Sequence, residues 1–465
     1  MANSAPQDDH KNETQSQSDT PRDTAVVEVI PGGPVSGAIR PPGSKSLTNR
    51  ALICAAFADG TSKLTGALRS EDTEVMIEAV RSLGVQVDLH DGGRTLVVDA
   101  SKRESKSASD SRIDLFIANS GTTVRFLTAA LSAAGGCYQL HGVPRMHQRP
   151  IADLVDALKP VQQGTIEAQS PQGCPPVLIH SDGWSGNRID VAGSVSSQYL
   201  SGLMMAAPIR SAPTMIDVRG ELVSIPYVEM TARVMQSFGA SVQLHSLDNE
   251  SETGESLGVA VGGDTYRSIQ YDIEPDASAA SYFWATAAIT GGDITVNGLH
   301  KGAMQGDVGF CSVLESMGCE VQYNEDSIRV IGRATNGVDV DMNRISDTVQ
   351  TLSVVALFAN GPTRVRGVAH NRFKETDRIG DLATELRKLG AQVDEHEDGL
   401  TIHPPATPTG ATLETYHDHR MAMSLCLAGL RVPGVKILNP SCTGKTYPEF
   451  FANLEALIGR AHHWA

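Results

Sequence analysis

Six times along this 465-residue chain, a segment patterned as a strand runs into a helix start crowded with hydroxyl, carboxylate or basic side chains. The starts are Ser44-Lys45-Ser46, Asn119-Ser120-Gly121-Thr122, Ser194-Val195-Ser196-Ser197-Gln198, Asp276-Ala277-Ser278, Ser346-Asp347-Thr348 and His417-Asp418-His419-Arg420. A second recurrence runs in step with the first. A helix ending in glycine before an alternating strand returns as RSLGVQVDLH at Gly84, QSFGASVQLH at Gly239, ESMGCEVQYN at Gly318 and RKLGAQVDEH at Gly390, with VQQGTIEA around Gly164 between the first two. The period is about 70–80 residues, and each glycine stands where a helix C′ residue is expected, with Pro160 disturbing the helix before Gly164. Glycine caps are common by themselves; the even spacing is what makes this a repeat.

Within a unit the periodicity reads strand, helix, strand, helix, strand, strand. DLFIAN, TTVRFLTAALSAAG, CYQLHG, PIADLVDALK and a pair of short strands ending in PPVLIH display one whole unit. The last unit stops after PEFFANLEALIG, while Val26 to Ile39 offers strands without a helix, so the two chain ends are expected to complete one unit. Three units per domain follow, in a chain too long for a single core. The expected division is a tail over 1–24, an N-terminal domain over 43–274, and a C-terminal domain built from 25–42 plus 275–465, with crossings near Pro42 and Glu274.

The first two dozen residues are polar and nearly free of large apolar side chains, so they are expected to be a disordered acidic tail. They lack the apolar stretch of a secretory signal and the Arg-rich, acid-poor character of a transit peptide. No apolar run reaches membrane-spanning length. Seven scattered cysteines without a CxxC spacing argue against a disulfide framework or zinc knuckle, and a reducing cytoplasm is the expected location. A net charge of −16 opposes binding to nucleic acid or to an anionic membrane.

Against that acidity, Lys45, Arg50, Arg125, Arg149, Lys374, Arg378, Arg420 and Lys445 stand at element junctions beside Gly, Ser, Thr and Pro. An isolated surface cation needs no explanation. Eight of them at element junctions, several beside helix starts where free N–H groups and the helix dipole already favour anions, point to phosphate and carboxylate ligands. In PPGSKSLTNRAL, Lys45, Ser46 and Arg50 can reach one anion, and the segment does not match a P-loop. NPSCTGKT comes nearer to one, but Asn439 fills the first Gly position and leaves Lys445 as a loop cation. Lys374, Glu375 and Arg378 are the densest group: Lys and Arg are poorly matched to a helix N-terminus unless an anion joins them. Cationic ends drawn from both domains are also expected to repel one another when no ligand lies between them.

Taken together, PGSKSLTNRAL, NSGTTVRFL, PRMHQRPI, GSVSSQYLSGLMMAAP, LVSIPYVEMT, DASAASYF, MQGD, FKETDRI, YHDHRMAM and CTGKTYP resemble the EPSP synthases of the enolpyruvyl transferase family, in family order from about Val26 to Phe450. The resemblance implies an α/β fold of two similar inside-out barrel domains, each of three βαβαββ units with helices buried within. It implies transfer of the enolpyruvyl group of phosphoenolpyruvate to the 5-hydroxyl of shikimate 3-phosphate, by addition and elimination, without metal or organic cofactor. A monomer is expected, with these two small molecules as its partners.

The same resemblance implies roles. Glu375 would be the proton donor, Asp347 the base, and Lys45 a stabiliser of charge that touches both ligands. Phosphoenolpyruvate would meet Lys45, Asn119, Gly121, Arg125, Arg149, Gln198, Arg378, Arg420 and Lys445. Shikimate 3-phosphate would meet Lys45, Ser46, Arg50, Ser196, Ser197, Gln198, Ser224, Tyr227, Asp347, Asn371 and Lys374. Sensitive family members bind glyphosate in the phosphoenolpyruvate site, where Gly121 leaves room for the phosphonate.

Three positions depart from the family pattern: Phe126 follows Arg125 in place of proline, His370-Asn371-Arg372 replaces Asn-Trp-Arg, and Gln148 stands where an acid is frequent. Two rival readings share the repeat: a UDP-N-acetylglucosamine enolpyruvyl transferase, disfavoured by the absence of a reactive loop cysteine, and an RNA 3′-phosphate cyclase-like scaffold, disfavoured by net acidity and by the Asp347–Glu375 pair.

Overall fold

The computed structural model describes residues 25–193, 196–220, 222–247 and 256–465. The tail expected to be disordered lies outside them, as do Ser194 and Val195 of the third helix start.

Six four-stranded sheets share one connectivity. In the second, Ile113–Phe116 runs parallel to Gly136–His141, which pairs antiparallel with Val177–Trp184, itself antiparallel to Gln162–Ala168. The third and fifth sheets repeat this with strands from one stretch of chain. The other three draw a strand from far away. Thr61–Thr65 takes Gln270–Asp272 as its parallel neighbour, Asp293–Asn297 takes Ser36–Ile39, and Val26–Glu28 sits between Lys436–Leu438 and His463–Trp464. The N-terminal strands therefore serve two sheets and not one. Val26–Glu28 joins the chain's other end, whereas Ser36–Ile39 is needed beside Asp293–Asn297 because Gln270–Asp272 is committed to the first sheet.

The helix that opens each unit is buried nearly all round. Every residue of Ala277–Thr290 is buried, and so is Gly121–Ala133 of the helix Gly121–Ala134. A helix without a polar face belongs inside a core, and small residues along it (ASAASYFWATAAIT) let neighbours approach closely. The second helix of a unit, such as Glu71–Ser82 or Gly380–Lys388, is half polar and faces outward on that side. Two separate apolar cores result, one spanning Leu47 to Ile273 and the other joining Val27, Val29 and Val35 to residues between Ala277 and Leu454.

Gly84, Gly239, Gly318 and Gly390 each follow the C-cap of a helix with φ between 86° and 104°, the left-handed geometry that favours glycine. Gly164 does not cap a helix. Pro160 ends the preceding helix at Leu158, and Gly164 instead occupies a bulge in the strand Gln162–Ala168, where a Cβ would lie 2.1 Å from the His180 carbonyl oxygen. The chain passes between cores at Pro42–Gly43 and Glu274–Pro275, tied by Ser44 N–H to Glu274 O at 2.8 Å and Asp276 N–H to Pro42 O at 2.8 Å. Among the described residues no helix is long and apolar enough to cross a membrane.

Candidate active site

Five of the six helix starts are closed by a polar side chain from the motif itself. Ser44, Ser120, Ser196, Asp276 and Asp418 accept hydrogen bonds from the N–H groups of Leu47, Thr123, Gln198, Ala279 and Arg420. The fifth start in chain order differs. A 3-10 turn over Asn343–Thr348 precedes the helix Val349–Ala356, and no side-chain cap forms. Asp347 is thereby free to face the cleft, where Arg420 Nη2 donates to Oδ2 at 2.7 Å, Tyr227 Oη to Oδ2 at 3.0 Å and Arg378 Nη1 to Oδ1 at 3.3 Å.

Glu375 lies across the same space. Arg378 Nη2 donates to its Oε2 at 2.7 Å and Lys445 Nζ to its Oε1 at 3.0 Å, with Arg149 Nη2 3.9 Å away. Arg378 also binds Asp418 through Nε at 2.7 Å and Nη2 at 3.2 Å, so one guanidinium joins three carboxylates. Burial alone would raise the pKa of Asp347, but Arg420, Lys374, Arg378 and Lys45 hold it well below the usual carboxylate range. Burial is likewise outweighed at Glu375, by Lys445, Arg378, Arg149 and His419. Both are carboxylates in this state.

Lys45, Arg125, Arg149, Lys374, Arg378 and Arg420 line the cavity around Glu375 together with Asp72, Asp347, Gly121 and Gln198, an excess of cations over acids. Arg149 Nη1 donates to Asn119 O at 2.9 Å, Arg125 Nη1 to Gln198 Oε1 at 2.7 Å, and Lys45 Nζ sits 3.4 Å from Asp72. The Nε groups of Arg125, Arg149 and Arg420 are buried without partners, which marks these as sites with unspent donor capacity. An adjoining cavity is lined by Ser46, Ser196, Ser197, Ser224, Tyr227, His370 and Lys374. Burial lowers Lys374 to about 8, with Asp347 opposing the shift and Arg378 adding to it.

Four expected ligand contacts do not line these cavities: Asn119 and Lys445, which bond Arg149 and Glu375 at their edge, and Asn371 and Arg50, which stand apart. Asn371 is fully buried, donates to Ser346 O at 3.0 Å and does not line the cavity; His370 lines it instead, with Nε2 3.3 Å from Ser224 Oγ. The 3-10 turn Ala369–Phe373 carries one of these neighbours toward the cleft and turns the other away. Arg50 is also buried off the cavity walls. It bonds Thr231 Oγ1 at 2.7 Å, Ser46 O at 3.0 Å and Ser201 Oγ at 3.3 Å, with its guanidinium 5.1 Å from the ring centre of Phe126. Phe126 thus packs beneath a cation rather than behind Gly121. Asp418 and Asp72, which organise Arg378 and Lys45, had no sequence signal beyond their place near helix starts.

The cleft is bridged from both cores: Lys445 Nζ reaches Asn119 O at 3.2 Å, Arg145 Nε reaches Glu375 O at 3.2 Å, and Asn343 Oδ1 accepts from Ser224 N–H at 2.9 Å. The expected self-repulsion of the cations is met internally, because Asp347, Glu375 and Asp418 neutralise them. The two cavities, about 40 and about 30 Å³, are narrow and closely walled by these side chains.

Two α/β cores meeting at a cleft rich in helix N-termini and cations, with two half-buried carboxylates among them, define an enzyme of anionic substrates. A family model described as EPSP synthase (3-phosphoshikimate 1-carboxyvinyltransferase) matches residues 29–454. A protein of Nostoc punctiforme named 3-phosphoshikimate 1-carboxyvinyltransferase is 43% identical over 91% of this chain and 97% of its own length. A chloroplastic protein of that name from Brassica napus is 44% identical over 91% of this chain and 83% of its own. The solved EPSP synthase of Acinetobacter baumannii superposes with a TM-score of 0.76 at 25% identity, covering 95% of this chain and all of that one. The chain belongs to the EPSP synthase family.

Proposed function

We propose that this chain joins phosphoenolpyruvate to the 5-hydroxyl of shikimate 3-phosphate and releases phosphate. The observation that carries the reading is the placement of Asp347 and Glu375, two half-buried carboxylates on one cavity, each gripped by cations that an anionic substrate would claim. In this reading the 5-hydroxyl gives its proton to Asp347 as its oxygen bonds C2 of phosphoenolpyruvate, and C3 takes a proton from Glu375. The ketal then returns that C3 proton to Glu375 and sheds phosphate, which takes up the hydroxyl proton. Lys45 lies beside both acceptor and donor regions and offsets the charge that develops.

Glu375 must hold a proton to act so, whereas Lys445, Arg378 and Arg149 favour its ionised form against burial. Substrate supplies the change: when its carboxylate and phosphate take Arg378, Arg149 and Lys445, those cations no longer hold the Glu375 proton off, and burial raises its pKa. Ser196, Ser197, Ser224 and Lys374 suit the phosphate of the acceptor, with His370 at its edge. We further read the two cores as two domains, dividing at 43–274, that part to bind and close to react, in a protein acting as a monomer in the cytoplasm. Purified protein given both substrates should release inorganic phosphate with no added metal; dependence on ATP or a divalent ion would sink the reading, and UDP-N-acetylglucosamine as the preferred acceptor would replace it.

The lowered Lys374 sets a pH limit. The free-enzyme profile of kcat/KM for shikimate 3-phosphate should fall as pH rises through about 8, where the ammonium loses its proton. Lys374→Arg should keep its charge and lose that limb. Persistence of the limb in the variant would assign it to another group.

Gly121 offers a second check. A Cβ there would lie 2.5 Å from Arg149 Nη2 and 3.1 Å from Arg125 Nη1, inside the cation pair assigned to phosphoenolpyruvate. Wild type should be inhibited by glyphosate competitively with phosphoenolpyruvate. Gly121→Ala should weaken the longer inhibitor more than the substrate, by roughly tenfold or more for a methyl forced into a filled site. Inhibition insensitive to phosphoenolpyruvate concentration, or a variant as sensitive as wild type, would overturn this.

A further inference from the structure

Behind Tyr227, on the side away from the phosphate-binding serines, lies a second small cavity of about 10 Å³, room for a single water, lined by Ser46, Tyr227, Asp276, Ser278, Gln305 and Asp307. Asp307, the last residue of the MQGD motif, is 3% exposed, and its Oδ1 has no hydrogen-bond partner. Its Oδ2 accepts from Ser278 Oγ and from Tyr227 Oη at 3.5 Å. The same Tyr227 hydroxyl is 3.0 Å from Oδ2 of Asp347. One phenol proton therefore stands between two buried carboxyls. Gly306 makes the approach possible, since a Cβ at that position would lie 2.5 Å from Pro226, the neighbour of Tyr227 in the helix Ile225–Ser237.

We propose that Asp307 is a positioning residue for the transfer reaction, acting through the Tyr227 hydroxyl to decide whether that hydroxyl's proton rests on Asp347 or turns away from it. This rests on the assignment of Asp347 as the base. With Asp307 protonated, its O–H can donate to Tyr227 Oη, which commits the phenol proton to Asp347 and weakens the base. With Asp307 ionised, the phenol proton turns to it, and Asp347 Oδ2 loses a donor and gains basicity. The groups facing Asp307 are Asp347, Arg420, Asp276 and Ser278 from its own core, the last two at the start of the helix Ala277–Thr290, and Tyr227 from the other core. Burial, with the nearby Asp347 charge next, pushes Asp307 up to about 7, against the pull of Ser278 and Arg420, so its ionisation falls at working pH.

Asp307→Asn copies the protonated state at every pH. Wild-type kcat should rise across neutrality, and the variant should lose that rise and run roughly tenfold below wild type above it, a smaller loss than removal of the base itself. The dissociation constant of shikimate 3-phosphate should stay within about twofold, because Asp307 touches only Tyr227 and Ser278. Tyr227→Phe should itself be slow, and the double variant Tyr227→Phe/Asp307→Asn should lose less than the product of the two single losses, since the phenol is the hydrogen-bonded link between the carboxyls. Independent, multiplying losses would overturn the inference, as would an Asp307→Asn profile that still rises.

A substrate-free measurement reads the carboxyl directly. The folded pKa of Asp307 lies above its unfolded value, so its cost to wild-type stability grows as pH rises from about 4 to about 7 and is constant beyond. The melting temperature of Asp307→Asn minus that of wild type should follow this course. A flat difference in an enzyme that releases phosphate normally overturns the role of Asp307 alone; a wild type that releases none overturns the functional reading beneath it.

Discussion

Asp347→Asn and Glu375→Gln are each expected to lower turnover by about two or more orders of magnitude, the usual scale for loss of acid–base assistance. Ligand affinity should move the other way or not at all. Each carboxylate competes with substrate for Arg378, Arg420 or Lys445, so its neutral amide leaves those cations freer to bind an anion. Single-turnover measurements and calorimetric binding of phosphoenolpyruvate in the presence of shikimate 3-phosphate separate the two effects. A variant with wild-type turnover would remove that residue from the chemistry, and a loss of affinity as large as the loss of rate would make its role binding.

The second large effect is expected at Arg378. Its guanidinium is 2% exposed and satisfies Asp418, which is fully buried, as well as Glu375 and Asp347. Arg378→Met would leave buried carboxylates without a counter-charge, a defect that costs about 3–5 kcal/mol when one partner of a buried pair is removed. Activity should vanish along with that stability. Adding Asp418→Asn should restore part of the stability and none of the activity, because it removes an orphaned charge without restoring a substrate contact. Denaturant unfolding of wild type and both variants tests this, and a loss below about 1 kcal/mol in the single variant would show that Arg378 serves substrate without bracing the site.

The same ion pairs offset the positive charge of the cleft. Counting cations at helix starts led to an expectation of repulsion, because Lys374, Arg378 and Arg420 are visible in the sequence as positive charges and their partners are not. Asp347, Glu375 and Asp418 come from stretches up to 71 residues apart and meet at Arg378. An internal set of carboxylates lies among the cations of the cleft and neutralises part of their charge.

What the sequence determined by itself is everything with a short period or a local cause. Alternation and glycine caps mark strands and helix ends because side-chain direction and left-handed φ are set within a few residues, and four of the five repeat glycines hold their expected place. Polar helix starts likewise announce caps, five of six by the residues named. Gly164 misled because a proline two turns of logic earlier had already stopped the helix, and its positive φ serves a bulge instead. Tertiary structure alone decided which strand completes which sheet, why His370 and not Asn371 faces the cavity, why Arg50 braces Phe126 and Ser46 away from it, and how Asp307 comes within reach of Tyr227. Several of those outcomes rest on contacts between residues distant in the chain, such as Tyr227 and Asp307, 80 residues apart, and Ser224 and His370, 146 apart. Coulomb and hydrogen-bond energies act over a few ångströms of space, and distance along the chain carries no record of which charges will be brought that close.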